Sequence, residues 1–139
     1  MTMLTDNEKA EAVRDYQRQT TGTQYLHWHW LGCLIYTDGM AFMAETCGAF
    51  WLLDLVASHQ PPIKRNHRGL MDFQVWRVSR TTEPNTPEGV DVEAWSDTPG
   101  ADWSVRLAFQ HVEFSDFPAE LMPFEFYVEF GVALLKEER

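Results

Sequence analysis

The chain predicts an α+β fold, with N-terminal helices packed on one face of a C-terminal antiparallel sheet of about four to five strands. Three observations predict it. Residues 50–57 form an almost wholly apolar segment that the rest of the protein must cover. Beyond Leu70 the chain alternates apolar and polar residues with a period of two, as half-buried strands do. Linkers at residues 81–89 and 96–102, rich in Pro, Gly, Asp and Thr, separate those runs as turns require.

In order, residues 5–18 read as a surface helix. Thr5 or Asp6 can cap it, Glu8 completes a capping box, and its apolar stripe is thin: Leu4, Ala12, Val13 and Tyr16. A break follows at residues 20–23. Tyr25, His27 and His29 then alternate with Leu26, Trp28 and Trp30, which predicts a strand, with an irregular packed segment the alternative for so aromatic a stretch. Thr37 or Asp38 caps a helix over residues 40–46, and Gly48 ends or kinks it. The apolar helix 50–57 stops before Pro61 and Pro62, since proline breaks a helix interior. Met43, Cys47, Phe50, Trp51 and Leu55 fall on one helical side and read as core.

Four strands complete the chain. Residues 73–79 alternate imperfectly, and residues 90–95 put Val90, Val92 and Ala94 on one face. Residues 103–110 put Trp103, Val105, Leu107 and Phe109 on one face, and residues 124–132 do the same with Phe124, Phe126, Val128, Phe130 and Val132. These faces are expected to lie under the apolar helix. Asp91, Glu93, Arg106, Glu125 and Glu129 are left for the opposite face.

At 139 residues, all of this belongs to a single domain, 1–139, with an aromatic-rich core expected from six Trp and nine Phe. No apolar run is long enough for a membrane span, and the polar N-terminus lacks the pattern of a signal peptide, so a cytoplasmic location is expected. Cys33 and Cys47 have no metal or redox spacing and read as small buried hydrophobes. The net charge of −10 arises entirely beyond residue 80, where three Lys/Arg face thirteen Asp/Glu. That acidity argues against direct nucleic-acid binding, which needs clustered positive charge. The one basic cluster, Lys64-Arg65-Asn66-His67-Arg68, is short.

Six ordered segments carry a resemblance: Thr21-Gly-Thr-Gln-Tyr, Tyr36-Thr-Asp-Gly, Gly48-Ala-Phe-Trp-Leu-Leu-Asp, Ala57-Ser-His-Gln, Phe73-Gln-Val-Trp and Phe114-Ser-Asp-Phe-Pro. Together they resemble a family of small uncharacterised bacterial proteins, a domain of unknown function also found on mobile elements. The resemblance spans residues 21–135 and implies a compact intracellular domain. It brings no activity, cofactor or catalytic residue.

Three constellations could carry chemistry. His27 and His29, two apart on a strand, project to one face about 7 Å apart and could share a metal. Asp38, Asp54, His59 and His111 are the available third ligands, though no metal-site spacing supports the set, and the alternative is that each histidine hydrogen-bonds locally. Asp54 is a carboxylate in an apolar helix. It is either a buried base, a solvent-facing residue, or the partner of Arg77 or a tryptophan N–H. Asp38, in the Asp-Gly turn, reads as a cap. No nucleophile elbow or phosphate loop occurs.

The best-supported expectation is a non-catalytic interaction module that self-associates or binds a protein partner, without a cofactor. The alternatives are a small metal-dependent or hydrolase-like enzyme using His27, His29 and Asp54 or Asp38, and an acidic inhibitor of a nucleic-acid-binding protein.

Overall fold

A computed structural model describes residues 4–20, 22, 25–82 and 88–139. The expected break at 20–23 and linker at 81–89 lie partly outside these residues. The first helix, α1 (Asp6–Gln19), begins with the full capping box. The Thr5 hydroxyl accepts from the Glu8 N–H at 3.1 Å, and the Glu8 carboxylate accepts from the Thr5 N–H at 3.1 Å. Only Ala10 and Val13 are buried on it, so one edge holds it. It packs chiefly on α2 (Asp38–Cys47) and on a 3-10 turn at Ala119–Leu121, adding to the helical layer more than covering strands.

Thr37, not Asp38, caps α2, its hydroxyl accepting from the Met40 N–H at 3.3 Å, while Asp38 is the first residue of the helix. Gly48, at φ 61°, ends the helix in the left-handed conformation that glycine adopts without a Cβ penalty. The next helix, α3 (Phe50–Asn66), corrects the expected stop before the prolines, because Pro61 and Pro62 lie inside it. Pro61 has no N–H to donate to the Ala57 carbonyl four residues back. The Cys33 thiol donates there instead, Sγ to O 3.1 Å, so a tertiary contact satisfies the carbonyl that the proline leaves open. Burial of Gln60 and Ile63 on either side of the prolines anchors the extension.

Among the described residues the sheet has seven strands where four to five were expected. They are β1 (Leu26–Trp28), β2 (Ile35–Thr37), β3 (Phe73–Arg80), β4 (Val90–Trp95), β5 (Arg106–Val112), β6 (Phe124–Glu129) and β7 (Val132–Leu135), in the order β1-β2-β7-β6-β3-β4-β5. The sheet is mixed, since β2 runs parallel to β7 while the other described pairs are antiparallel. The parallel pair arises because the N-terminal hairpin β1–β2 joins the far side of the C-terminal strands.

Register decides the two faces. The inner face carries Gln74, Trp76 and Val78, Val90, Val92 and Ala94, and Phe124, Phe126 and Val128. Helix α3 lies against it through a buried, reciprocal pair of amide hydrogen bonds between Gln60 and Gln74, both 3.0 Å, with the Trp76 indole N–H donating to Gln74 at 2.8 Å. The outer face carries Asp91, Glu93, Arg106, Glu125 and Glu129, as expected, but also Phe73, Val75, Trp95 and Tyr127.

Two strands depart from their sequence reading. Residues 124–132 are not one strand: Phe130 (φ 50°) and Gly131 (φ 79°) form a two-residue hairpin turn between β6 and β7. Val132 consequently pairs with Glu129 and joins the outer face. In β5 a bulge opposite Ala94 and Trp95 leaves Leu107 without a cross-strand partner and reverses the alternation. Leu107 is buried, but Phe109 opposes Glu93 on the outer face, and Trp103 and Val105 precede the strand and are exposed.

The core is aromatic through Trp76, Phe117, Phe124 and Phe126, yet only one of the six tryptophans is buried. The predicted helical stripe divides likewise: Met43, Cys47 and Leu55 are buried, whereas Phe50 is exposed. Cys33 is exposed, against the expectation of a buried thiol, and Cys47 is buried as expected. No helix among the described residues is long and apolar enough to cross a membrane.

Candidate functional site

The two histidines of the N-terminal hairpin do share a side. His27 pairs in register with Tyr36, and Tyr36 with the buried Ala133, so the row lies on the inner, helix-bearing face. Each histidine then meets a different carboxylate. His27 Nε2 lies 2.9 Å from Asp38 Oδ1 at the start of α2, and the ring stacks on Tyr36 at 5.2 Å. Asp38 also accepts from the Tyr25 N–H at 3.0 Å. His29 Nε2 lies 2.7 Å from Asp54 Oδ1 in α3.

The His29 tautomer follows from its second nitrogen. Nδ1 accepts from the Leu31 N–H at 3.1 Å, so the ring proton sits on Nε2 and is donated to Asp54. Both nitrogens of this buried ring are thus engaged, and neither is open to a metal without losing a bond. Asp54 also accepts from the Trp30 indole N–H at 3.1 Å while its side chain stays 50% exposed. Asp54 therefore joins two of the sequence readings: it faces solvent and it satisfies a tryptophan N–H. Arg77 is not its partner, being paired at 2.9 Å with Glu125 on the outer face.

The remaining candidate ligands lie apart. His59 meets Gln110 at 2.8 Å, and His111 meets Asp91 at 2.9 Å on the outer face. Among the described residues, no group of three or more His, Cys, Asp or Glu side chains is placed to hold a metal ion. The Asp38 position has a further constraint. The Glu138 carboxylate sits over the N-terminus of α2, accepting from the Thr37 hydroxyl at 2.6 Å and the Gly39 N–H at 3.2 Å. A Cβ on Gly39 would collide with the Glu138 carboxylate, so the glycine of Tyr36-Thr-Asp-Gly makes room for it. The helix end is closed by the chain's own anion.

A cleft of about 580 Å³ lies beside Asp54, between the hairpin turn, α3 and the end of β5. Its apolar wall is Leu31, Trp51, Leu55, Val112 and Phe114, and two carboxylates, Asp54 and Asp116, stand in it. Phe114 and Asp116 escaped the sequence reading because no periodicity marks the loop after β5. The Phe114-Ser-Asp-Phe-Pro segment, quoted only for its resemblance, was the available signal.

A family model covers residues 11–139, nearly the whole chain. The chain belongs to DUF6876, a family of unknown function. The family model begins within α1 and spans the hairpin, both core helices and the seven described strands. No curated protein and no solved structure matches this DUF6876 chain.

The hairpin also presents side chains outward. Leu26 and Trp28 lie in β1, an edge strand, and share the outer face; Trp30 and Leu31 follow in the turn. Trp28 is 74% and Trp30 77% exposed, and Tyr25, Leu26 and Leu31 are exposed beside them.

Proposed function

We propose that this DUF6876 chain is a non-catalytic interaction module that binds a protein partner through the hairpin carrying β1. One observation carries the reading: Trp28, 74% exposed, projects from an edge strand with Leu26 beside it, and Trp30, 77% exposed, follows with Leu31 in the turn. Tryptophan anchors concentrate binding energy at interface centres, and an edge strand offers unpaired backbone groups for pairing. Burial of Asp54-bound His29 behind the hairpin gives those aromatics a rigid base. A rigid base lowers the ordering cost of association. A catalytic use of His27 or His29 has less support, since each ring nitrogen with a stated partner already serves a structural bond.

The test places a photo-crosslinking side chain at Trp28, and separately at the exposed Glu11 of α1, in the cells that make the protein. A discrete adduct from position 28 alone supports the reading, and its mass separates a second copy from a different protein. No adduct, or the same adducts from both positions, overturns it.

A further inference from the structure

We infer that the cleft beside the hairpin receives a cationic, partly apolar segment of the protein partner, with Asp54 and Asp116 holding its Lys or Arg side chains. The inference rests on the interaction reading and adds the partner's chemistry.

The wall of Leu31, Trp51, Leu55, Val112 and Phe114 supplies an apolar bed, and Phe114 is 77% exposed within it. Such a bed suits the methylene stems of Lys and Arg as well as apolar side chains. The charge is one-sided. Among the described residues, no lysine or arginine lines the cleft. The two donors to Asp54 are a neutral imidazole, fixed in that form by the Leu31 N–H, and a neutral indole. They orient the carboxylate without cancelling its charge, and half of the side chain still faces solvent. Asp116, exposed on the other bank, forms no ion pair with a described residue. A cation between the banks meets two acids over an apolar bed.

A second copy is the disfavoured occupant. Its exposed Lys64, Arg65 and Arg68 could reach such a cleft, but docking would bring together two chains that each carry a net charge of −10. A separate basic segment gains from the same field.

The test is selection from a displayed library of short random peptides against the full chain, followed by binding of the selected peptides to Asp54→Asn and Asp116→Asn variants. The Asp54→Asn change keeps an oxygen for the His29 and Trp30 donors, so the hairpin stays in place, which thermal melting verifies. The expected result is enrichment of Lys/Arg with apolar residues. Binding should fall about tenfold with each variant and weaken with salt. Enrichment without a Lys/Arg excess, binding unchanged in both variants, or no enrichment overturns the inference. So does self-association that the two variants abolish, because the second copy is then the occupant. Peptides lost on Trp28→Ser but indifferent to Asp54→Asn and Asp116→Asn would overturn the cleft while leaving the hairpin reading intact.

Discussion

Glu138 reaches back across 99 positions to Gly39, and the contact shows how one carboxylate can close two ends of a chain. Its Oε1 also accepts from the Leu135 N–H at 2.9 Å, so the C-terminal turn and the start of α2 share an acceptor. Substituting Gly39→Ala must expel that carboxylate, trading helix propensity against lost hydrogen bonds. We expect a net loss of about 1 kcal/mol in urea unfolding, and the same loss for Glu138→Ala. In the double variant the two losses should not add, because both remove one contact. Full additivity would mean that the carboxylate does not rest there. Cys47 supplies a pH-dependent case. Burial is the main cause that pushes its thiol up to about 11 from an ordinary value of 9.0. The folded state keeps the proton while the unfolded chain loses it, so this contribution to stability is present below about pH 9 and declines towards pH 11. Over that window the wild type should lose roughly 2 kcal/mol more than Cys47→Ala, measured as the difference between their stability curves. Parallel curves would contradict it. Native-state alkylation should meanwhile label the exposed Cys33 and spare Cys47.

At the scale of elements, α3 depends on two polar devices in an apolar setting. The Gln60–Gln74 amide pair joins α3 to β3, and each amide has further partners: Gln60 donates to the Val56 carbonyl at 3.2 Å and Gln74 to the Met71 carbonyl at 3.1 Å. Every bond in this buried set is made, so removing one member strands the other. Gln74→Leu should cost about 2–3 kcal/mol, while Gln60→Leu with Gln74→Leu should cost clearly less, measured by chemical denaturation. A double variant as unstable as the sum of the singles would refute the pairing argument. The Cys33 thiol and Pro61 form the second device. Cys33→Ala leaves the Ala57 carbonyl without its donor and should cost about 1 kcal/mol. Restoring a backbone donor with Pro61→Ala should erase most of that cost. Local rules misplace the end of α3 for the same reason. The prolines signal a helix end, yet a thiol 24 positions from Ala57 satisfies the carbonyl they leave open. Phe109 alternates correctly with Leu107 until a bulge in β5 turns it to the other face.

Across the whole molecule, the sheet has one face under helices and one face open. The open face is not purely acidic, because cations fold over its aromatic rings. Arg139 lies 4.8 Å from the Phe73 ring centre, Lys136 5.7 Å from Tyr127, and Arg106 5.0 Å from Phe109. Glu125 belongs to this network. Its burial pushes the carboxyl upward, but the Lys136 and Arg77 hydrogen bonds and charges hold it below its ordinary value. A depressed carboxylate stabilises the fold above its unfolded value and loses that contribution as pH falls through the lower folded value. Acid unfolding of Glu125→Gln should therefore depend less steeply on pH below about 4.5 than that of the wild type, measured by circular dichroism. The exposed hairpin sits at the end of the same sheet. Trp28→Ser and Trp30→Ser should cost little stability, about 0.5 kcal/mol or less for Trp28, because rings in water have little burial to lose. Loss, in these variants, of an adduct formed from a photo-crosslinking side chain at the neighbouring exposed Leu26, without loss of fold, would assign the tryptophans to binding.

The chain by itself determined whatever depends on near neighbours: a capping box at Thr5, a cap at Thr37 or Asp38, a helix end or kink at Gly48, the alternation of β4, and the absence of any local catalytic signature; the structure chose Thr37 and made Gly48 the helix end. Its six ordered segments were enough to point to a family of unknown function. Only the tertiary structure decided that β1 and β2 extend the sheet, that α3 runs through two prolines, and that His27 and His29 end on separate carboxylates. It also decided that five of the six tryptophans lie outside the buried core. The physical reason is range. Caps and alternation are settled within one turn or one strand, whereas a three-residue strand, a proline-freed carbonyl or an oriented imidazole is stabilised only by partners that folding brings from elsewhere in the chain.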